Sequence, residues 1–221
     1  MRAPIRQRLR ITFAKGEQIK YISHLDLFRT WKRALRRAQV PLAYSQGFNP
    51  RAKIAIASAL PVGFTSEGEL MDIILERRVA PRHFAQRVAA QLPAGLSIKA
   101  VEEIYPSLPS LQSQLRLAEY SVTVESDEPV SSLNKRLQRL LSADSLPRQR
   151  RTRRGVKEYD LRPLIDALWI EGKRNGHYLL GMRLRSGDWG TGRPDEVVDA
   201  LGLGDRLRGV CRNRLLLAFD R

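Results

Sequence analysis

Cysteine is almost absent from this 221-residue chain, where Cys211 stands alone. One cysteine cannot form an intrachain disulfide, which fits a reducing cytoplasm. The sequence contains no CxxC pair, no CxxxCxxC triad and no His/Cys cluster. Neither a structural zinc, nor an iron–sulfur cluster, nor any other cofactor is therefore expected. Histidine is scarce, with His24, His83 and His177 far apart. No run approaches the ~18 apolar residues of a membrane-spanning helix. The opening MRAPIRQRLRITF also lacks the apolar stretch of a secretory signal. Neither GKS nor GKT occurs, so the Walker pattern and its nucleoside triphosphate hydrolysis are not expected.

Negative charge is the other shortage. Lys and Arg number 39 against 23 Asp and Glu, a formal net charge of +16. Such an excess suits polyanions, whether RNA, DNA or an anionic membrane surface. A basic surface that only keeps the protein soluble is the plain alternative. No helix pairs Lys and Arg with exposed bulky apolar residues, so a nucleic acid is favoured over a membrane. Residues 1–105 hold 18 Lys and Arg against 8 Asp and Glu, and residues 106–221 hold 21 against 15. The excess is spread along the chain and does not sit on a detachable tail.

At 43% hydrophobic residues the chain can bury a core. RLRITFAKG (8–16) alternates as a strand. Ser23 precedes Asp26 by three residues, a capping-box-like start to a helix of roughly 24–39. Leu25, Phe28, Trp31, Leu35 and Ala38 give that helix an apolar stripe. Strands are predicted at 53–63, 69–76 and 96–104, with a helix from Pro81 carrying Phe84, Val88 and Leu92 on one face. The order is β-α-β-β-α-β, the split-βαβ or ferredoxin-like plan of an antiparallel sheet with helices on one face. YPSLPSLQSQ reads as a linker, placed at 106–117. Beyond it, strands at 118–125, 177–185 and 212–219 and helices near 129–142 and 193–203 repeat the order, with one strand within 155–171 poorly defined. The expected fold class is α+β: two tandem ferredoxin-like units, 1–105 and 118–221.

Three constellations bear on nucleic acid. The far side of the first helix carries Arg29, Lys32, Arg33, Arg36 and Arg37. Such a helix is usually a solvated surface helix, but its neighbours change the reading. Lys20, Arg51 and Lys53 flank it, and Tyr21, Tyr44 and Phe48 supply aromatic faces. RNA modules combine cations for phosphates with aromatics for unstacked bases. The loop SQGFNPR (45–51) adds Gln46 and Asn49, with Gly47 allowing close backbone approach. RQRRTRR (148–154) places Arg148, Arg150, Arg151, Arg153 and Arg154 in seven residues. A run of this kind is more often flexible and solvated than a formed site, yet it can order on an RNA backbone. His24 is the one catalytic candidate, a proton relay with Lys20 or Lys53 stabilising a phosphorane. Its plainer role is that of a helix-start residue. Asp26 reads as a cap and Asp72 as a salt-bridge or packing residue.

The segments SHLDLFR (23–29), RALRRAQVPLAYSQGFNPR (33–51), ALPVG (59–63), Glu69 with Met71-Asp72, KEYDLRP (157–163) and RPDEV (193–197) resemble the radical SAM-linked family of bacterial proteins. That resemblance implies an accessory role in radical-based modification, with RNA as substrate. It also implies that a separate enzyme holds the cluster, since the triad is missing here. A weaker similarity, in the HLD-type helix start and the architecture, is to CRISPR repeat-associated RNA-binding proteins. Some of those cleave RNA without metal, which is what makes His24 worth testing. Together these readings favour a cytoplasmic, non-catalytic RNA-binding adaptor for a radical SAM-type enzyme. The rivals are a metal-independent endoribonuclease using His24 and a protein-interaction subunit that never meets RNA.

Overall fold

The computed structural model describes residues 7–152, 155–187 and 190–218. The protein is a mixed α+β structure whose strand pairings are mostly antiparallel. It divides after Leu115 into two compact units. No helix among the described residues is long and apolar enough to cross a membrane.

In the first unit, β1 (Gln7–Lys15) alternates Leu9, Ile11 and Phe13 into a core where all three are fully buried. It pairs antiparallel with β3 (Thr65–Leu75) on one side and β4 (Leu96–Ile104) on the other. A short β2 (Ile54–Ile56) pairs antiparallel with β3, so the order is β4–β1–β3–β2. Two helices, α1 (His24–Arg37) and α2 (Pro81–Ala89), bring Leu27, Trp31, Leu35, Phe84 and Val88 into the same core cluster as the strands. Phe13 meets Trp31 edge-on, with ring centroids 5.0 Å apart. The opposite side of β1 and β3 holds Arg8 and Arg10 against the Asp72 carboxylate, at 2.7 and 2.8 Å. Asp72 is thus the salt-bridge residue expected of it.

The chain from 105 to 114, read above as linker, is fastened to this unit. Arg8 also donates to the carbonyls of Leu108 and Pro109. A helical turn, α3 (Leu111–Gln114), buries Leu111, and Gln112 donates to the Ile56 carbonyl at 2.8 Å.

In the second unit, β5 (Leu115–Glu125) pairs antiparallel with β9 (His177–Arg185), and β9 with β8 (Ile165–Arg174). β10 (Leu207–Leu217) lies on the other side of β5, giving the order β10–β5–β9–β8. The helices are α4 (Val130–Ser142), which buries Leu133, Leu137 and Leu140, and α5 (Pro194–Ala200). A separate two-stranded hairpin, β6 (Pro147–Thr152) and β7 (Gly155–Asp160), is inserted between α4 and β8.

Two expectations are corrected by position. The strand expected over 53–63 is only Ile54–Ile56, because the chain turns away through Pro61 and Gly63, whose N–H bonds the Lys20 carbonyl at 2.9 Å. Leu25 is 55% exposed, and the buried face of α1 is Leu27, Trp31, Ala34 and Leu35. The Arg-rich run, whose order the sequence left open, begins as strand β6, paired residue by residue with β7.

Candidate nucleic-acid interface

The cationic helix is fixed at both ends. At its start the Ser23 hydroxyl accepts the Asp26 N–H at 3.2 Å and donates to the Asp26 carboxylate at 2.7 Å. The hydroxyl's bond to the carboxylate and the Arg29 guanidinium, 3.1 Å away, hold the Asp26 carboxyl below its ordinary range. At its end Ala38 is the last capping residue, and Gln39 takes the left-handed φ of 51°. The Val40 N–H then reaches back to the Leu35 carbonyl and the Gln39 N–H to that of Arg36. This is a Schellman ending with glutamine where glycine is usual. Arg36 and Arg37 sit in the last turn, where the carbonyl end of the helix favours cations.

With Leu27, Trp31 and Leu35 buried, helical geometry turns Arg29, Lys32, Arg33 and Arg36 outward along one stripe. At ~1.5 Å of rise per residue that stripe is about 10 Å long. Beside it runs the chain 41–53, tied to the sheet edge. Leu42 bridges Leu75, the Ala43 N–H donates to the Ile74 carbonyl, and the Lys53 N–H to the Ala43 carbonyl. Tyr44 bridges Ala52. The Ser45 N–H donates to the Arg51 carbonyl, and the Ser45 hydroxyl accepts the Arg51 N–H, both at 2.9 Å. These bonds close the loop 46–50 at its base. Gly47 turns the tip with φ 124°, and Phe48 stands there fully exposed, at 105% of its reference area.

A groove of about 500 Å³ lies between helix and loop. Arg29, Lys32, Arg33 and Arg36 line one side; Leu42, Tyr44, Pro50 and Ala52 line the other. Among the described residues, Lys32, Arg33, Arg36, Arg37, Arg51 and Lys53 have no ion-pair partner. Lys32 rests its ammonium 6.0 Å from the Phe28 ring.

Not every expected residue joins this groove. Arg37 lines a neighbouring hollow of about 390 Å³ with Thr30, Arg33, Gln91 and Pro93. Lys20 is paired with Glu17 at 2.7 Å and sits over the Tyr21 ring, and the Glu17 bond raises its pKa. His24 is exposed in the first turn of α1 and is not among the groove's lining residues. Gln46 and Asn49 are exposed on the loop, and Arg51 and Lys53 are exposed on the segment that returns from it to β2. The sequence reading missed Leu42, Pro50 and Ala52 as groove wall, since they meet the helix only through pairing with β3 and across the loop.

The Arg-rich hairpin is different. Arg148 meets Asp199 at 3.1 Å, and Arg150 makes a two-pronged pair with Glu196, at 3.0 and 2.9 Å. The Tyr159 hydroxyl donates to the same Glu196 carboxylate, and the Arg150 guanidinium lies 4.9 Å from the Tyr159 ring centroid. Burial and the bond to Glu196 push the Tyr159 phenol up to about 12. Burial alone would raise Glu196, but the bonds from Arg150 and Tyr159 outweigh it and leave the carboxyl below its ordinary value. Two acids of α5 thus anchor the hairpin, Glu196 from its first turn and Asp199 from its last. Arg151 belongs to β6 by its backbone, while Arg153 and Arg154 lie outside the described residues.

Fold and site together define a mixed α+β protein with a cationic, half-apolar groove. The chain belongs to a family described as uncharacterised proteins conserved in bacteria, DUF2344, whose sequence pattern matches residues 8–194. No curated protein matches it in sequence. Its fold is similar to that of a chain in a Cbf5–Nop10–Gar1 complex, with a TM-score of 0.50 and 8% identity, over 92% of this chain and 48% of that one. A chain of an H/ACA RNP bound to a substrate RNA containing 2'-deoxyuridine matches at 9% identity and a TM-score of 0.49, over 92% and 47%. One from the archaeal box H/ACA sRNP Nop10–Cbf5 complex matches at 11% and 0.48, over 94% and 47%. This chain spans about half the length of these three solved chains. At such identities the likeness is one of fold.

Proposed function

We propose that this protein is a non-catalytic RNA-binding accessory protein, and that α1 with the loop 45–51 is its RNA face. The observation that carries the reading is the set of cations around the groove that have no carboxylate partner, set beside Tyr44 and Phe48. Unpaired cations are free to exchange counterions for phosphates, which is the main source of RNA affinity. Exposed aromatic faces offer stacking to unpaired bases. We read both units as ferredoxin-like, since β4–β1–β3–β2 and β10–β5–β9–β8 follow one permutation. That plan sets the loop after α1 on a rigid scaffold, where binding loops commonly lie. The proposed role is to present tRNA or rRNA to a separate radical SAM-type modification enzyme; that partner rests on the sequence resemblance alone.

The test is crosslinking in the native cells, with the bound RNA sequenced. The wild type is compared with a variant carrying Gln at Arg33, Arg36, Arg37, Arg51 and Lys53. A defined RNA enriched on the wild type and lost on the variant is expected. Diffuse RNA recovered equally on both contradicts the reading.

A further inference from the structure

A groove that only followed an RNA backbone would need no apolar wall. Phosphate oxygens gain nothing from Leu42, Pro50 and Ala52, and only the hydroxyl of Tyr44 can serve one, yet these four residues make up half of the lining. The opposite side presents Arg29, Lys32, Arg33 and Arg36, which an apolar ligand would not repay. A ligand that satisfies both walls is flat and apolar at one end and anionic at the other. The volume of about 500 Å³ is that of a small-molecule site, within the usual ~300–1,000 Å³. A single nucleotide meets all three conditions, whereas a duplex does not enter a cleft of this size.

We infer that the groove holds one unpaired nucleotide of the bound RNA. Its base lies on the Tyr44–Pro50 wall and its phosphates lie on Lys32, Arg33 and Arg36, the lining cations without a carboxylate partner; Arg29 is held by Asp26. The inference rests on the RNA reading above and narrows it to a substrate class: RNA with a loop, bulge or end at the recognised point. In an RNA duplex the bases are stacked, and the groove that carries most of their information is too deep and narrow for side chains. Phe48 supplies a second flat face at the tip of the same loop. The Ser45–Arg51 and Tyr44–Ala52 pairings hold that loop in place before RNA arrives, which lowers the ordering cost of binding.

The full chain is assayed by fluorescence anisotropy with three RNAs: a stem capped by a uridine loop, the same hairpin with abasic riboses in the loop, and a blunt duplex of the stem. Free uridine monophosphate is added as competitor in a fourth arm. Base stacking predicts that the uridine hairpin binds about ten-fold more tightly than the abasic one. Tyr44→Ala and Phe48→Ala are predicted to shrink that ratio to about two-fold or less while leaving abasic binding in place. Both side chains are substantially exposed, Tyr44 at 49%, so the variants keep their fold; Tyr44→Phe retains the stacking face and the full ratio. Competition by uridine monophosphate that removes only the loop-dependent part supports the site. Equal affinity for all three RNAs overturns the nucleotide site and leaves RNA binding standing. No RNA affinity beyond that of the five-fold neutralised protein overturns both.

Discussion

On α1 and residues 51–53, Lys32, Arg33, Arg36, Arg37, Arg51 and Lys53 face solvent without a carboxylate partner among the described residues. On β6 the arginines Arg148 and Arg150 are held by Asp199 and Glu196. By sequence the second segment is the denser cluster, with five Arg in seven residues. Among the described side chains, those of α1 and residues 51–53 are the ones without a carboxylate partner, while Arg148 and Arg150 of the hairpin are paired. A guanidinium already bound to a carboxylate has its charge partly neutralised and fewer N–H groups to offer, so it gains less from a phosphate. Charge density along a chain therefore measures the potential at a distance, and the partners of each side chain decide where a polyanion settles.

The comparison breaks most visibly on the unpaired side. Replacing Arg33, Arg36, Arg37, Arg51 and Lys53 with Gln is expected to lower RNA affinity about 100-fold or more, with thermal stability nearly unchanged. Anisotropy and a melting curve on the same samples read both quantities. On the paired side the effects exchange places. Glu196→Gln leaves the Arg150 guanidinium and the Tyr159 hydroxyl short of their shared acceptor. A loss of about 1–2 kcal/mol is expected, with RNA affinity within about two-fold of wild type. Calorimetric melting checks it, with a fall of a few degrees expected.

The hairpin's anchor also has a pH signature. Glu196 sits below its ordinary 4.5 in the folded protein, so its stabilising contribution is complete above that value and drains away as pH falls through the lower folded one. Tyr159 is raised from 10.0 to about 12, so its contribution is complete below pH 10 and is lost as pH climbs between the two. Denaturant midpoints measured across both ranges should lose this dependence in Glu196→Gln and Tyr159→Phe respectively. A smaller effect is predicted at Gln39. Relieving its left-handed backbone with Gln39→Gly should stabilise the first unit by about 0.5–1 kcal/mol, seen as a melting rise of about 2 °C. The smallest effect is at His24, which is exposed and is not among the groove's lining residues. His24→Ala is expected to leave RNA affinity and RNA integrity unchanged by gel analysis in EDTA; cleavage lost in that variant alone would restore the endoribonuclease reading.

The parts of this arrangement that were legible in the sequence are those set by local periodicity. The cationic stripe of α1, its Ser23 start and the strands β4 and β9 could each be read from a dozen residues. Leu25 was misplaced because spacings of three and four admit two overlapping stripes, and only packing on β1 and β3 chooses Leu27. The strand β8 was indistinct because irregularities between Ile165 and Ala167, and between Ile170 and Gly172, break its alternation. Strand β6 shows no apolar alternation at all; it pairs with β7, and Arg148 and Arg150 tie it to the acids of α5, partners that lie 51 and 46 residues away. The groove wall was hidden for the same reason. Leu42 is 33 residues from Leu75, the position that fixes it beside the helix.

The most direct test of the central claim is RNA affinity as a function of salt, measured for wild type, the five-fold α1 and loop variant, and Arg148→Gln/Arg150→Gln. The account predicts that the slope of log affinity against log salt falls by roughly 0.7 for each phosphate contact removed in the five-fold variant. It predicts the wild-type slope for the hairpin variant. Equal losses of slope in the two variants, or a loss confined to the hairpin, would contradict it.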